Sequence, residues 1–441
     1  MTLQKMTALL AVLVTMTLAA PGSAALAADP PLPVLTEPSQ TQDMSVYAAR
    51  RQALMKKMGD GVAVIYADGT DDTAGYRQSA DFLYLTGVLE RGAVLVLAPK
   101  ERTYHEFLFL PSRDPEAERW SGEREPISAA LRSKYGFEKI YRSGRLLSTL
   151  VDLASRSPTL WQVTRPDPDS EGRPKDLQIY GKVQERVPGV TTKSLGWTLA
   201  SMRSLHDAQE LAILQRAIRI SEEGHLVAWA KIRPGASEGD VRAEAERVWR
   251  IRGSRRPAYD PIVGSGPNST ILHYPRSERV MQDGELILMD MACEYAHYAA
   301  DITRTLPVNG HFSAEQRKVY DLVLRAQQTA LAMAKPGVTY EDLDKAARKV
   351  IDDAGYGDYF IHGLGHFVGL DVHDAGAYHE PLQAGMVITL EPGIYIPGKA
   401  LGVRIEDEIV ITDTGARYLS DGLPRSADEI EKWMAKSRST K

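Results

Sequence analysis

The sequence predicts an α/β (α+β) fold of two domains: a small N-terminal α/β domain and a larger C-terminal domain with an internal pseudo-twofold repeat. The chain has 441 residues, which is too long for one ordinary domain. Apolar residues make up 43% and charged residues 25%, which excludes a disordered chain and a polytopic membrane protein. In the second half, one helix-turn-helix pattern occurs twice at an offset of 102 residues.

The charge and the cysteine content restrict the chemistry of the chain. It has 53 basic and 58 acidic residues, so no basic excess favours nucleic acid as a partner. The single cysteine, Cys293, excludes an internal disulfide framework and a cysteine-rich zinc or iron–sulfur site. Any bound metal must therefore be held by carboxylates and histidines.

Residues 1–27 are predicted to be a secretory signal peptide. Lys5 precedes an apolar stretch over residues 7–20, which is shorter than the roughly 20 residues needed to cross a bilayer. Ala25 and Ala27 then match the small-residue pattern of a cleavage site. We expect cleavage after Ala27 and a periplasmic or secreted protein without a membrane anchor after cleavage.

The N-terminal domain is predicted over residues 44–190. Short apolar runs rich in β-branched and aromatic residues alternate there with amphipathic segments. Pro188 and Gly189 favour a boundary at the end of this region. The runs predict strands at 61–66, 93–97 and 107–110, and helices at 128–135 and 146–155.

The C-terminal domain, residues 197–441, contains the repeat. In each copy a helix stops at Pro-Gly, and Ser237 or Thr339 follows as the predicted N-cap of a second helix. Gly253 and Gly355 lie at the end of that second helix at the same offset. The repeat predicts two related halves that close around one cleft.

Each half also carries two acidic residues on a predicted pair of strands. The predicted hairpins pair 285–292 with 299–308, and 386–396 with 401–412, and their acids are Asp290, Asp301, Glu391 and Glu406. The acids could lie on solvated strand faces, but Asp290 and Glu391 each end an apolar run typical of a buried strand. Because several buried like charges destabilise a core unless cations neutralise them, the pattern predicts a metal site.

A glycine-rich segment offers a neutral ligand for this site. It contains His362, His366 and His373, and its glycines argue against a helix. The segment lacks the H-E-x-x-H pattern of helical zinc proteases. Oxygen donors with one imidazole suit Mn²⁺ better than Zn²⁺. Two ions that share carboxylates lie about 3.5–4 Å apart and activate a bridging hydroxide, so hydrolysis of an amide is the natural chemistry.

Several motifs together resemble the metal-dependent Xaa-Pro peptidases of the pita-bread fold, metallopeptidase family M24, which include aminopeptidase P and prolidase. The resemblance implies an N-terminal domain of the creatinase/aminopeptidase P type and a C-terminal pita-bread domain. The motifs lie at residues 76–87 and 113–122 in the N-terminal domain, and at 272–274, 301–305, 362–366, 390–395 and 403–407 in the catalytic domain.

The resemblance implies two divalent ions, Mn²⁺ first and Zn²⁺ or Co²⁺ as alternatives. Asp290 would bind one ion, and Asp301 and Glu406 would bridge both. His366 and Glu391 would complete the second ion.

The resemblance also implies the catalytic residues. Glu391 would carry the proton from the attacking water to the leaving nitrogen. The histidines that would orient substrate and stabilise the tetrahedral intermediate are His273, His362 and His373. Arg404, two residues before Glu406 and so on the same strand face, would hold the bridging carboxylate or a substrate group.

The sequence leaves two functions open and disfavours two others. An aminopeptidase P removes the residue before proline from longer peptides. The short interval between Glu391 and Glu406 favours this interpretation. A prolidase, which cleaves Xaa-Pro dipeptides, is the alternative. A non-catalytic peptide-binding module, or a metal-free creatinase-like enzyme, is disfavoured by the complete ligand set. The expected partners are proline-containing peptides and further copies of the chain, as a dimer or a tetramer, and no nucleic acid.

Overall fold

The computed structural model describes residues 42–72, 74–165 and 172–439. The predicted signal peptide, residues 1–27, lies outside the described residues. Within the described ranges no helix combines the length and the apolar character that a membrane span requires.

The N-terminal domain is built on a six-stranded mixed sheet in the described residues, in the order β6-β5-β4-β1-β7-β8. Its helices are α1 (Met44–Met58), α2 (Ala80–Thr86), α3 (Pro115–Ser121), α4 (Ala129–Tyr135), α5 (Leu146–Arg156) and α6 (Lys175–Gln184). Its strands are β1 (Val62–Tyr66), β2 (Thr70–Asp72), β3 (Gly75–Arg77), β4 (Val94–Leu97), β5 (Glu106–Leu110), β6 (Lys139–Arg142), β7 (Thr159–Gln162) and β8 (Thr191–Ser194). Strands β2 and β3 form a separate hairpin.

The predicted elements of this domain are all present, and the structure adds to them. The three apolar runs form β1, β4 and β5, and the two amphipathic segments form α4 and α5. Strand β8 carries four exposed residues, so its sequence lacks the alternation that indicates a strand. It nevertheless pairs in parallel with β7. The sheet therefore continues to Ser194, beyond the boundary expected at 190.

The C-terminal domain begins with α7 and ends with α12. Its helices are α7 (Gly196–Arg203), α8 (Ala208–Trp229), α9 (Glu238–Ile251), α10 (Ala314–Met333), α11 (Tyr340–Asp353) and α12 (Ala427–Ser439). Its strands are β9 (Arg256–Pro257), β10 (Ile262–Ser265), β11 (Leu286–Asp290), β12 (Cys293–Tyr295), β13 (Tyr298–Ala299), β14 (Thr303–Pro307), β15 (Val387–Leu390), β16 (Gly393–Ile396), β17 (Leu401–Arg404), β18 (Asp407–Ile411) and β19 (Ala416–Tyr418).

The repeated helix pairs have the predicted ends. Ser237 caps α9 and Thr339 caps α11, each within a capping box closed by the acid three residues on. Gly253 and Gly355 follow the two helices with φ angles of 91° and 80°, a conformation that glycine adopts without steric cost. The two copies are therefore structurally equivalent at both ends of the second helix.

Each predicted hairpin is present but interrupted. In the first half β11 pairs with β14, while β12 and β13 between them belong to another small sheet. In the second half β15 pairs with β18, and β16 pairs with β17. The four acids lie at these interruptions: Asp290 ends β11, Asp301 precedes β14, Glu391 follows β15 and Glu406 precedes β18. One continuous apolar core joins this domain to one face of the N-terminal sheet.

Candidate metal centre

All nine site residues expected from the sequence line one cavity of about 580 Å³. Its polar wall is formed by Asp290, Asp301, His273, His362, His366, His373, Glu391, Arg404 and Glu406. Apolar side chains, among them Ile262 and Leu272, line the rest. The interruptions of the two strand pairs bring together Asp290 and Glu406, which are 116 positions apart in the sequence (406 − 290).

Three of these residues form a compact ligand group. Ligand atoms of Asp301, His366 and Glu406 all lie within 4.8 Å of one another. Nε2 of His366 is 3.3 Å from Oδ2 of Asp301. Among the described residues, Oδ1 of Asp301 and Oε1 of Glu406 are buried and find no hydrogen-bond partner. Unpaired buried carboxylate oxygens are costly, so this donor set fits a divalent cation.

Neighbouring side chains fix the carboxylate of Glu406 and the backbone of Asp301. Oγ1 of Thr303 donates to Oε2 of Glu406 at 2.7 Å. Oε1 of Glu408 accepts the backbone N–H of Asp301 at 2.8 Å. Thr303 and Glu408 are not among the residues expected from the sequence. Such outer partners orient ligands toward a metal.

His366 is fixed in the same way. Its backbone N–H donates to Oγ1 of Thr389 at 2.9 Å, and the Thr389 hydroxyl donates to Oε1 of Glu391 at 3.1 Å. Nδ1 of His366 lies 3.0 Å from the carbonyl oxygen of Phe367. When Nδ1–H donates to that carbonyl, the lone pair of Nε2 faces the carboxylates, as a metal ligand requires.

Asp290 differs from the three clustered ligands, because both its oxygens have hydrogen-bond donors. Nη2 of Arg404 donates to Oδ2 at 2.6 Å, and the Tyr259 hydroxyl donates to Oδ1 at 2.5 Å. The sequence led us to expect Arg404 to hold either the carboxylate of Glu406 or a substrate group. Strand β17 ends at Arg404, so strand alternation does not carry on to Glu406. The partner of Arg404 is Asp290. Tyr259 was not expected at the site, and no local pattern marks it.

His362 is held as a neutral imidazole. Nη1 of Arg404 donates to the Tyr395 hydroxyl at 2.7 Å, so that hydroxyl can donate to Nε2 of His362, 2.9 Å away. Nδ1 then donates to the carbonyl of Gly363 at 2.7 Å. Burial and the charge of Arg404 lower the pKa of His362 to about 4. His362 therefore positions Tyr395 and Arg404 in this structure.

His373 and His273 lie on the cavity wall without such a network. The His373 ring packs edge-on against His366 with centroids 4.3 Å apart. Burial and the neighbouring His366 lower the pKa of His373. His273 lines the same cavity beside the apolar wall.

The clustered acids perturb one another strongly. Burial raises the pKa of Glu391 to about 7, with Asp301 adding to the rise and His366 opposing it. Burial and the charges of Asp301 and Glu391 raise the pKa of Glu406. Burial alone would lower the pKa of His366, but Asp301 and Glu391 raise it to about 9. The site therefore carries excess negative charge, which a bound proton or metal ion would neutralise.

The sequence is similar to that of known peptidases over most of its length. Residues 212–413 match the model of metallopeptidase family M24, and residues 47–161 match the N-terminal domain of aminopeptidase P. The Xaa-Pro aminopeptidase of Escherichia coli K12 is 34% identical over 89% of this chain and 98% of its own length. A Xaa-Pro dipeptidase of Pyrococcus furiosus is 41% identical, but over 52% of this chain and 66% of its own length.

Solved structures resemble the whole architecture. An E. coli aminopeptidase P variant in complex with substrate has a TM-score of 0.81 and 33% identity, covering 90% of this chain and 100% of that one. An aminopeptidase of Pseudomonas aeruginosa also has a TM-score of 0.81 at 33% identity, covering 90% of this chain and 99% of its own.

Proposed function

The chain belongs to metallopeptidase family M24, and from that membership we propose that it is a metal-dependent aminopeptidase that hydrolyses the N-terminal Xaa-Pro bond of peptides. The observation that carries the proposal is the extent of the similarity. The E. coli Xaa-Pro aminopeptidase matches both domains, covering 89% of the chain, whereas the P. furiosus Xaa-Pro dipeptidase covers 52%. Prolidase activity is therefore the second candidate.

Asp301, His366 and Glu406 lie together as candidate ligands, and we propose that Asp301 and Glu406 would be shared by two divalent ions. Asp290 would complete one ion, and His366 and Glu391 would complete the other. When bound, such ions polarise the scissile carbonyl and acidify a water molecule. The oxygen-rich donor set favours Mn²⁺, with Zn²⁺ and Co²⁺ as the alternatives. Each oxygen of Asp290 accepts one hydrogen bond, from Tyr259 or Arg404, and keeps a second lone pair that could bind a metal.

Glu391 is the proposed proton carrier. Its carboxylate lines the cavity beside His366, where it could act first as a general base and then as a general acid. Its Oε would accept the proton of the attacking water and deliver it to the proline nitrogen as the C–N bond breaks. His273, His362 and His373, which line the cavity, are the proposed groups that orient the substrate and stabilise the tetrahedral intermediate.

The test compares substrates after metal removal. The purified protein is stripped of metal and supplied with Mn²⁺, and cleavage of a Xaa-Pro dipeptide is compared with cleavage of a Xaa-Pro-Xaa tripeptide and longer peptides. Preference for the longer peptides is expected. Strict preference for the dipeptide would move the assignment to prolidase, and no Mn²⁺-dependent cleavage of either would favour a binding module.

We further propose that the protein is exported and self-associates. The proposed export rests on the pattern of residues 1–27, and the N-terminal residue of protein recovered from the periplasmic fraction should be Ala28. An uncleaved N-terminus would contradict it.

Self-association as a dimer or tetramer is checked by light scattering of the purified protein, and a monomeric mass would contradict it.

A further inference from the structure

The loop that carries His373 is held by two arginines from outside the metal-binding strands. Residues 370–374 contain no helix or strand. Backbone bonds hold the ends of this loop, as from the N–H of Asp374 to the carbonyl of Phe367 at 2.8 Å, and side-chain contacts add to them. One arginine, Arg77, is the last residue of β3 in the N-terminal domain. The other, Arg203, is the last residue of α7.

Arg77 connects the loop to the N-terminal domain through its whole guanidinium group. Nη2 donates to the carbonyl oxygen of Leu370 at 2.7 Å, and Nη1 donates to Oδ1 of Asp371 at 3.1 Å. Nε donates to Oε2 of Glu294 at 2.8 Å, which anchors the arginine at its other edge. A planar group with fixed donor directions can define the position of a loop in a way that a lysine ammonium cannot.

Arg203 is the second arginine that holds the loop of residues 370–374. Nη2 donates to Oδ2 of Asp371 at 2.9 Å and also contacts Oδ1 of Asp374. Nη1 donates to Oδ1 of Asp81 in α2 at 2.7 Å. The side chain of Arg203 is only 4% exposed, so these charge-assisted bonds form away from water. Asp371 is thus shared by both arginines, two residues before His373.

The metal ligand of the same segment is anchored differently. The backbone of His366 makes two hydrogen bonds to Thr389. The N–H of His366 donates to Oγ1 of Thr389 at 2.9 Å, and the carbonyl of His366 accepts the N–H of Thr389 at 2.8 Å. Thr389 belongs to β15 within the catalytic domain. Loss of Arg77 should therefore leave His366 in place while it releases the loop at His373.

We propose that Arg77 is a positioning residue that fixes His373 for the reaction from the N-terminal domain. This inference rests on the proposed function, because it gives His373 a role in peptide cleavage. It assigns the β2–β3 hairpin of the N-terminal domain a direct part in catalytic geometry. A displacement of a reacting group by about 1 Å can cost up to about 100-fold in rate.

The test is a double-mutant cycle with Arg77→Gln and His373→Ala on a Xaa-Pro-Xaa peptide with saturating Mn²⁺. Arg77→Gln should lower kcat about tenfold or more, with little change in KM and with unchanged bound metal. In the His373→Ala background, the same substitution should have almost no further effect, because the group it positions is absent. If the two losses multiply instead, Arg77 does not act through His373 and the proposal fails.

Arg256→Gln is the matched control. Arg256 pairs with Asp72 at 2.5 Å and with the Gly75 carbonyl at 3.3 Å, so it joins the same hairpin to the catalytic domain. Its side chain is 8% exposed, and Nε lies 3.8 Å from Oε1 of Glu294, the acid that also anchors Arg77. Among the described residues it has no hydrogen bond or ion pair to residues 370–374. Its kcat should stay within about twofold of wild type. An equal loss in Arg256→Gln would show that a loosened interface, and not the loop, explains the effect.

The cycle also separates this inference from the proposed function. If the wild-type enzyme does not cleave the peptide, the proposed function fails first. If it does, and His373→Ala is slow while Arg77→Gln has the wild-type kcat, only the positioning role of Arg77 is overturned.

Discussion

The hydroxyl of Thr303 donates to Oε2 of Glu406 at 2.7 Å, and the other oxygen, Oε1, is left buried without a hydrogen-bond partner in the described residues. The threonine therefore selects which oxygen of Glu406 is available to a cation. Arg404 donates its Nε–H to the same hydroxyl oxygen at 3.2 Å, so the hydroxyl hydrogen is directed to the carboxylate.

Thr303→Val should weaken metal binding. The substitution keeps the shape of the side chain but removes the donor that orients Glu406, and loss of such a partner costs about 10- to 100-fold in metal affinity. Titration of the metal-stripped protein with Mn²⁺ measures the change. Thr305→Val is the control, since Thr305 is equally buried on β14 and donates to the Arg404 carbonyl at 2.9 Å. Equal weakening in both variants would contradict the role of Thr303.

Asp301→Ala should abolish activity while the fold persists. Asp301 supplies a proposed bridging oxygen, and its Oδ1 is unpaired without a cation, so its removal costs the empty site little. Wild-type protein should gain melting temperature on addition of Mn²⁺, and the variant should lose this gain together with its bound metal. The exposed Asp283→Ala should retain both. A variant that cleaves Xaa-Pro bonds at the wild-type rate would refute the metal assignment.

His225 should make the protein less stable as the pH falls. Burial lowers its pKa from 6.5 to about 3 in the folded state, so between these values the unfolded chain binds the extra proton. Its contribution to the free energy of unfolding should fall by up to about 1.4 kcal/mol per pH unit below pH 6.5. Denaturant unfolding of wild type and His225→Gln from pH 7 to 4 measures the difference. Parallel pH profiles would contradict it.

Asp207→Ala should destabilise the junction of the domains. Asp207 caps α8 by accepting the N–H groups of Gln209 and Glu210 at 2.9 Å, and it also pairs with Arg50 of α1 at 2.8 Å. We expect a loss of about 2 kcal/mol in the free energy of unfolding. Ser313→Ala, which removes only the capping bond of α10, should cost about 1 kcal/mol. Denaturant unfolding compares the two, and equal losses would show that the Arg50 pair contributes little.

Much of the architecture follows from local sequence signals. Ser237 and Thr339 each precede an acidic residue by three positions, and this pattern predicted the starts of the repeated helices. The hydrogen bonds of such a cap form within one helical turn, so they depend only on local sequence. The apolar runs before Asp290 and Glu391 marked buried strands that end on a charge. Strand β8 had no such signal, because its exposed edge position imposes no pattern on its side chains.

The residues around the ligands carried no signal of their own. No local pattern distinguishes Thr303, Tyr259 and Glu408 from other residues of their segments. Only in the folded chain do they contact, respectively, Glu406, Asp290 and Asp301. Their partners lie up to 107 positions away in the sequence. Arg404 was expected from strand alternation to hold Glu406 or a substrate group, but β17 ends at Arg404, and its guanidinium donates to Asp290 and Thr303.

The sequence by itself determined the two-domain α/β plan, the repeat, the family resemblance and nine of the residues that line the cavity. Periodicity, capping and motif spacing are properties of neighbouring residues, so they can be read before the chain folds. Only the tertiary structure decided which oxygens stay unpaired, which side chains orient the ligands, and that Arg77 reaches Leu370 and Asp371, 293 and 294 residues further along. Hydrogen bonds require atoms within about 3 Å, and that proximity is set by packing of the whole chain.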